Sequence, residues 1–210
     1  MLQNTTASMN SRMRIYDERN QRLYINAPER QRFLVAANKA RLPVRAFCLT
    51  LLYTGCRLSE ALELTTTSID PASDLLSFRT LKKRNRHHIR EVPIPPELSV
   101  VLASLKELRV PMKERENFYP IPLWTYKQGQ PLNRITGYRW VKRVMDKADI
   151  HGAQASPKGL RHGYGVHALR MGIPLNMLSK WMGHASIATT AIYGNAVGSE
   201  ELEIAGRMWG

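Results

Sequence analysis

"MGHASIATTAIYGNAV", residues 182–197, sets a histidine in a glycine-bounded turn and, nine positions later, a tyrosine directly before another glycine. Two readings of Tyr193 follow. The run "AIY" at helical spacing suits a packing residue, and a lone histidine in a turn between helices suits a structural role. Gly194 beside the tyrosine and His184 ahead of it instead favour a mobile, reactive hydroxyl. A phenol with an ordinary pKa of ~10 is a poor nucleophile at neutral pH, so this reading demands a proton acceptor and a strongly positive site. The rest of the chain must supply both.

Positive charge is abundant. Lys and Arg number 31 against 17 Asp and Glu, a formal net charge of +14 over 210 residues. Such self-repulsion points to a polyanionic partner, with nucleic acid first and an anionic membrane well behind, since the basic residues are scattered rather than gathered on one amphipathic helix. Hydrophobic residues at 43% and charged residues at 23% suit a folded domain, and no apolar run approaches the ~20 residues of a membrane span. The N-terminus lacks a signal-peptide core, so the cytoplasm is the expected compartment. Cys48 and Cys56 read as reduced core thiols, too far apart for a disulfide if they share one helix.

Periodicity organises the chain into a mainly α fold with a small antiparallel β-sheet, an α+β architecture. Residues 1–22 are polar and weakly patterned, an expected flexible arm. Asn26 or Ala27 leads into a helix through Pro28, with Phe33, Leu34 and Ala37 forming its apolar stripe. Pro43 opens the next, where Val44, Phe47, Cys48, Leu51 and Leu52 recur at core spacing until Gly55 breaks it. "CRLSEALEL" resumes with Leu58, Ala61 and Leu62 inward. The period then changes: Leu76, Phe78 and Thr80 alternate along one strand, and "IREVPI" follows a polar turn that holds His87 and His88. Helical patterns return at 98–109, 135–150 and 160–172, with a proline-rich connection at 111–124. A last short helix, capped by Ser199, carries Leu202, Ala205 and Met208 in step, beside Ile204 and Trp209.

Several chemistries find no support. His162 and His167 stand five apart, off a shared helical face, and no acidic residue follows the first as a zinc protease requires. "GYG" at 163–165 sits in a helical pattern without the other glycines of a phosphate loop, and no Gly-x-Ser-x-Gly elbow occurs. What remains is a set of cations in otherwise apolar or tightly turned segments. Arg57 follows the Gly55 break, where its planar fork can hold two phosphate oxygens, or simply pair with Glu60 three residues on. Lys82 enters the basic tip "KKRNRHH". Lys158 and Arg161 lie three apart at a helix start, where backbone N–H groups attract phosphate.

Taken in order, these segments resemble the catalytic domain of the tyrosine recombinases, the phage-integrase family, over about residues 22–200. "YTGCRLSEAL" resembles the first arginine box, "LKKR" the hairpin lysine, "KGLRHG" the second box, and "MGHASIATTAIY" the Gly-His turn leading to the nucleophile. The resemblance implies a catalytic domain at 23–198 and a C-terminal tail at 199–210. It implies that Arg57 and Arg161 bind the non-bridging oxygens of a scissile phosphate and Lys82 protonates the departing 5′ oxygen. Lys158 would add a further cation, His184 would support the phosphate or the tyrosine proton, and Tyr193 would attack. Lys83, Arg84 and Arg86 would touch double-stranded DNA. Neither cofactor nor metal is implied, because the cations hold the charge.

Departures from the family pattern matter. Lys158 stands where histidine is commonest, and a protonated amine is a poor base until its pKa falls. Gly159 replaces the usual acidic residue, which is expected to loosen the box. Some 22 polar residues cannot form the N-terminal DNA clamp of most members, so the chain resembles the short members such as the invertases that flip fimbrial promoters. DNA grip would then come from the domain itself, accessory DNA-bending proteins, or self-association through the tail. The competing functions are relaxation of DNA of the topoisomerase kind and a DNA-binding regulator with a vestigial site.

Overall fold

Asn26 starts the first helix by accepting the Glu29 backbone N–H at 3.0 Å, while the Glu29 carboxylate takes the Asn26 N–H at 2.9 Å. This reciprocal cap, with Pro28 in the first turn, fixes α1 at Ala27–Asn38. The computed structural model describes residues 13–82, 86–109, 120–126 and 129–209. Along them follow α2 (Leu42–Thr54), α3 (Leu58–Leu62), β1 (Ile69–Asp70), β2 (Leu75–Lys82), β3 (Arg86–Pro93), α4 (Pro96–Arg109), α5 (Arg134–Lys147), α6 (Pro157–Arg170), α7 (Leu175–Met182), α8 (Ile187–Ala191) and α9 (Ser199–Gly206). The expected class is what is found: mostly helical, with one small antiparallel sheet.

Helix α2 is the hub. Its residues from Ala46 to Leu52 are all buried, and it packs against α1, α4, α5 and α6. Phe47 meets Trp124 and Trp140 edge-on at 5.1 and 5.9 Å, so the proline-rich connection contributes a core residue in Trp124. The sheet runs in the order β1-β2-β3, with Leu76 opposite Val92 and Phe78 opposite Arg90. Alternation buries Leu76 and Phe78 on β2 and Arg90 and Val92 on β3. Strand β1 was not expected, because two residues carry no readable period. No helix among the described residues is long and apolar enough to cross a membrane.

Three local expectations are corrected. His87 and His88 lie within β3, opposite Leu81 and Thr80, because ladder pairing extends both strands further than the polar composition suggested. Residues 13–22 of the expected arm are packed on the domain: Ile15 is buried, and a bridge joins Tyr16 to Arg22. One apolar residue with a place in the core outweighs the polar surroundings. Finally, α9 begins at Ser199 itself and is preceded by Gly198 with φ 84°, a left-handed position a serine cap would not adopt.

Candidate active site

Two helix ends create the site. Helices α2 and α7 both stop at a left-handed glycine, Gly55 (φ 57°) and Gly183 (φ 64°), conformations that cost other residues strain. Each end turns a carbonyl toward the same guanidinium: Arg161 of α6 donates to Gly55 O at 2.6 Å and to Met182 O at 2.9 Å. Arg161 thus pins the first arginine segment to the Gly-His turn, 106 and 21 residues away in sequence.

Arg57 follows Gly55 as the residue capping α3. Glu60 takes its backbone N–H and its guanidinium, each at 2.8 Å, so the pairing with Glu60 raised from the sequence is present. It is not merely a surface pair. Glu60 is buried and also receives both terminal nitrogens of Arg90, at 2.7 and 3.2 Å. Arg57 keeps 43% of its side chain exposed and borders a cavity of about 370 Å³. Ser156, Lys158, Arg161 and His162 also line this cavity, with Arg134 from α5. Ser156 caps α6 by accepting the Gly159 N–H at 3.1 Å, which aims the helix N-terminus at the cavity that Lys158 and Arg161 border.

Gly159 is not a loosening. A Cβ there would fall 1.8 Å from the backbone oxygen of Gln154, so no side chain fits and the segment is tight.

Tyr193 sits on a short 3₁₀ turn at Ile192–Asn195 with 0% of its surface exposed. It shares an apolar cluster with Ile15, Tyr24, Val166, Leu178 and Met182. Its ring lies against α6 at Gly165, where a Cβ would come within 2.5 Å. The hydroxyl is buried without a hydrogen-bond partner. The structure therefore shows the tyrosine packed, where the sequence suggested mobility; Gly194 is unconstrained, since a Cβ there would meet nothing within 4 Å. His184 stacks on the ring at 6.2 Å, bonded through Nδ1 to Thr190 Oγ1 at 2.8 Å, while its Nε2 is buried and unpartnered. The His162 ring also approaches that of Tyr193, tilted at 59° with centroids 5.8 Å apart, and both its nitrogens are buried without a partner.

Electrostatics follow from burial and crowding of like charge. Burial, then the Arg57 charge, lowers Arg161 to about 10, so it stays protonated. Burial holds His184 at about 3, reinforced by Arg161 and Arg57, leaving a neutral imidazole. Burial raises Tyr193 to about 12, against the pull of Arg161 and Arg57. Two arginines that repel each other beside one cavity are relieved by an anion. The arrangement can hold a phosphate and stabilise charge developing on it.

Of the expected residues, Arg57, Lys158 and Arg161 meet at the cavity, and His184 and Tyr193 meet beside it. Lys82 ends β2 opposite Arg86, which begins β3. Lys83 and Arg84 lie outside the described residues. Sequence reasoning missed Arg90 and the sharing of Glu60. The signal was available: in "IREVPI" Arg90 alternates in step with the inward Val92 and Ile94, and a charge at such a position needs a buried partner. His162 joins the surroundings of Tyr193, a role its place in the sequence did not indicate. Among the described residues, no group of three or more His, Cys, Asp or Glu could hold a metal ion.

The family described as phage integrase matches residues 23–198. A tyrosine recombinase of Thermosipho africanus is 28% identical over 158 residues, covering 73% of this chain and 50% of that protein. The crystal structure of XerA recombinase superposes with a TM-score of 0.74 at 25% identity, covering 88% of this chain and 64% of that one. The XerH site-specific recombinase bound to its difH substrate, in a pre-cleavage complex, shares the fold with a TM-score of 0.66 at 19% identity, over 93% of this chain and 60% of that one. This chain thus spans about half the length of the curated relative.

Proposed function

The chain belongs to the phage integrase family, and from that premise we propose that it is a site-specific recombinase that cuts and rejoins double-stranded DNA through Tyr193. The observation that carries this is the meeting of Arg57 and Arg161 at one cavity beside a tyrosine flanked by neutral histidines. In the proposed reaction Arg57 and Arg161 hold the non-bridging oxygens of the scissile phosphate, with Lys158 adding charge at the α6 N-terminus. The Tyr193 oxygen bonds to phosphorus and the bond to the 5′ oxygen breaks. That oxygen takes a proton from Lys82, and the phenolic proton passes to a neighbouring base, while His184 either receives it or supports the phosphate. The product is a 3′-phosphotyrosine and a free 5′ hydroxyl, and reversal onto a different 5′ end completes exchange. Residues 23–198 act as the catalytic unit, and Lys83, Arg84 and Arg86 contact DNA. The XerH site-specific recombinase, which shares the fold, is bound to its difH substrate, and that likeness supports the recombinase reading.

The tail is proposed to join protomers on DNA. Helix α9 is anchored to its own domain by a buried Glu200 and an Arg170–Glu203 ion pair at 3.0 Å, yet Leu202, Met208 and Trp209 are exposed. A second copy covering that apolar face would supply grip, with accessory DNA-bending proteins as further help and the cytoplasm as the setting. Because truncation would also uncover α6, the cleaner variant is Leu202→Asp with Trp209→Ser. It should keep single-site binding and lose cooperative loading on paired sites in a gel shift; unchanged cooperativity overturns the tail's role.

The function itself is tested with nicked suicide duplexes carrying sites selected from random DNA, resolved on a denaturing gel. A covalent adduct and recombinant product are expected. Adduct with relaxation but no recombinant product favours the topoisomerase reading; binding without adduct favours the regulator.

A further inference from the structure

Residues 13–16 precede the segment that the family matches, yet they are built into the surroundings of Tyr193. Ile15 is buried in the same apolar cluster as the tyrosine, and Met13 packs on that cluster while bordering the cavity beside Arg57. The segment folds back on itself, with the Leu23 N–H donated to Ile15 O at 2.8 Å. The Tyr16 ring stands edge-on to that of the buried Tyr24 at 6.0 Å, with the two hydroxyls 3.3 Å apart. The same Tyr16 oxygen accepts the backbone N–H of Val197 at 3.1 Å. Val197 lies four residues beyond Tyr193, just past the 3₁₀ turn and the buried Ala196. One hydroxyl therefore ties chain ahead of the domain to chain directly behind the tyrosine.

That tie bears on chemistry because of where the tyrosine stands. Tyr193 is wholly buried, and the residues lining the cavity include Arg57, Lys158 and Arg161 but not Tyr193. Attack on a phosphate held there requires the segment around 192–197 to shift, and each contact that fixes the segment opposes the shift. We propose that Tyr16 is a positioning residue that latches the Tyr193 segment in its withdrawn place through the Val197 backbone. The inference rests on the recombinase reading for its chemical consequence, while the latch itself is a property of the free protein.

Tyr16→Phe keeps the ring and removes the accepting oxygen. Val197→Pro removes the donor from the other side, and Ala196, at φ −65° and ψ 130°, already holds the extended backbone that must precede a proline. Three quantities are compared in the full chain: hydrogen exchange at residues 193–198, single-turnover formation of the covalent adduct on nicked DNA, and DNA affinity. One net hydrogen bond is worth a factor of about 2 to 10. Tyr16→Phe should speed exchange at the Val197 amide by that factor and adduct formation by the same factor, with affinity unchanged. Val197→Pro should give the same acceleration of adduct formation. A merely structural contact would move exchange alone. Faster exchange with unchanged or slower cleavage overturns the proposal, as does unchanged exchange at Val197. If the wild-type protein forms no adduct, the recombinase reading and the proposed role fall together, and the exchange experiment still reports separately whether the latch exists.

Discussion

Arg90 and Glu60 form a two-pronged ion pair inside the protein, with nitrogen to oxygen distances of 2.7 and 3.2 Å and both side chains buried. Arg90 also donates through Nε to Trp181 O at 2.9 Å and lies over the Phe78 ring at 4.8 Å. One side chain on the hairpin thereby braces the Arg57 segment through Glu60 and the His184 turn through the carbonyl two residues before Gly183. Burial raises the Glu60 pKa but the Arg90 bonds and charge outweigh it, so the carboxyl is held below its usual range.

Breaking this pair from one side should cost much more than removing it whole. Arg90→Met leaves the buried Glu60 carboxylate with Arg57 alone and frees the Trp181 carbonyl, and is expected to lose about 1–3 kcal/mol. Adding Glu60→Gln should restore part of that loss, read as a positive coupling in a urea-denaturation cycle. A single-variant cost below about 1 kcal/mol would show that the pair does not brace the fold.

Arg57 and Arg161 should separate in stability while agreeing in chemistry. Arg57 is partly exposed, and Glu60 keeps Arg90 when it is gone, so Arg57→Ala should change stability by less than about 1 kcal/mol. Arg161→Ala strands the Gly55 and Met182 carbonyls and should cost about 1–3 kcal/mol. Each should slow single-turnover cleavage by about 10²–10³ with a smaller effect on DNA binding. Parallel losses of binding and cleavage in both variants would contradict their assignment to the phosphate.

His162 should make stability fall with acid. Burial, then the charges of Lys158 and Arg161, depress its pKa to about 3. Because the folded value lies below the unfolded value of about 6.5, the unfolded chain binds the proton first. This contribution is complete above about pH 6.5 and is lost as pH falls toward 3, at up to about 1.4 kcal/mol per pH unit. Urea denaturation between pH 7 and 5 should therefore give a steeper pH dependence for the wild type than for His162→Gln. Equal slopes would mean that His162 binds its proton alike in the folded and unfolded chain.

Lys82 and Lys83 are the two candidates for the proposed acid. The sequence alternation that groups Lys82 with Leu76, Phe78 and Thr80 favours Lys82. A substrate with sulfur at the 5′-bridging position needs no acid for departure, so it should restore cleavage to Lys82→Ala. Rescue of Lys83→Ala alone would assign the acid to Lys83.

Much of this was legible because it depends on local pattern. The helix starting at Asn26 and Pro28, the core spacing of Phe47 to Leu52, the Gly55 break and the alternation of Leu76 and Phe78 all report the environment of a few neighbours. The positions of Arg57, Arg161, His184 and Tyr193 were legible through motif order. What was hidden depends on long-range closure. Arg161 reaches Gly55 and Met182, Arg90 reaches Glu60 and Trp181, and Tyr16 reaches Val197, contacts that span up to 181 residues and leave no periodic trace. The burial of Tyr193 was hidden for the same reason: its neighbour Gly165 matters for the space it leaves, not for any pattern it makes.

In the proposed reaction the DNA is carried on Tyr193. Trapped adduct from nicked suicide DNA, digested with nuclease and protease, should yield one peptide bearing a 3′-phosphoryl nucleotide, with fragmentation placing it on Tyr193. Tyr193→Phe, which keeps the ring that packs against Gly165, should bind the same DNA and yield no adduct. A nucleotide on any other residue, or undiminished adduct from Tyr193→Phe, would rule out Tyr193 as the nucleophile.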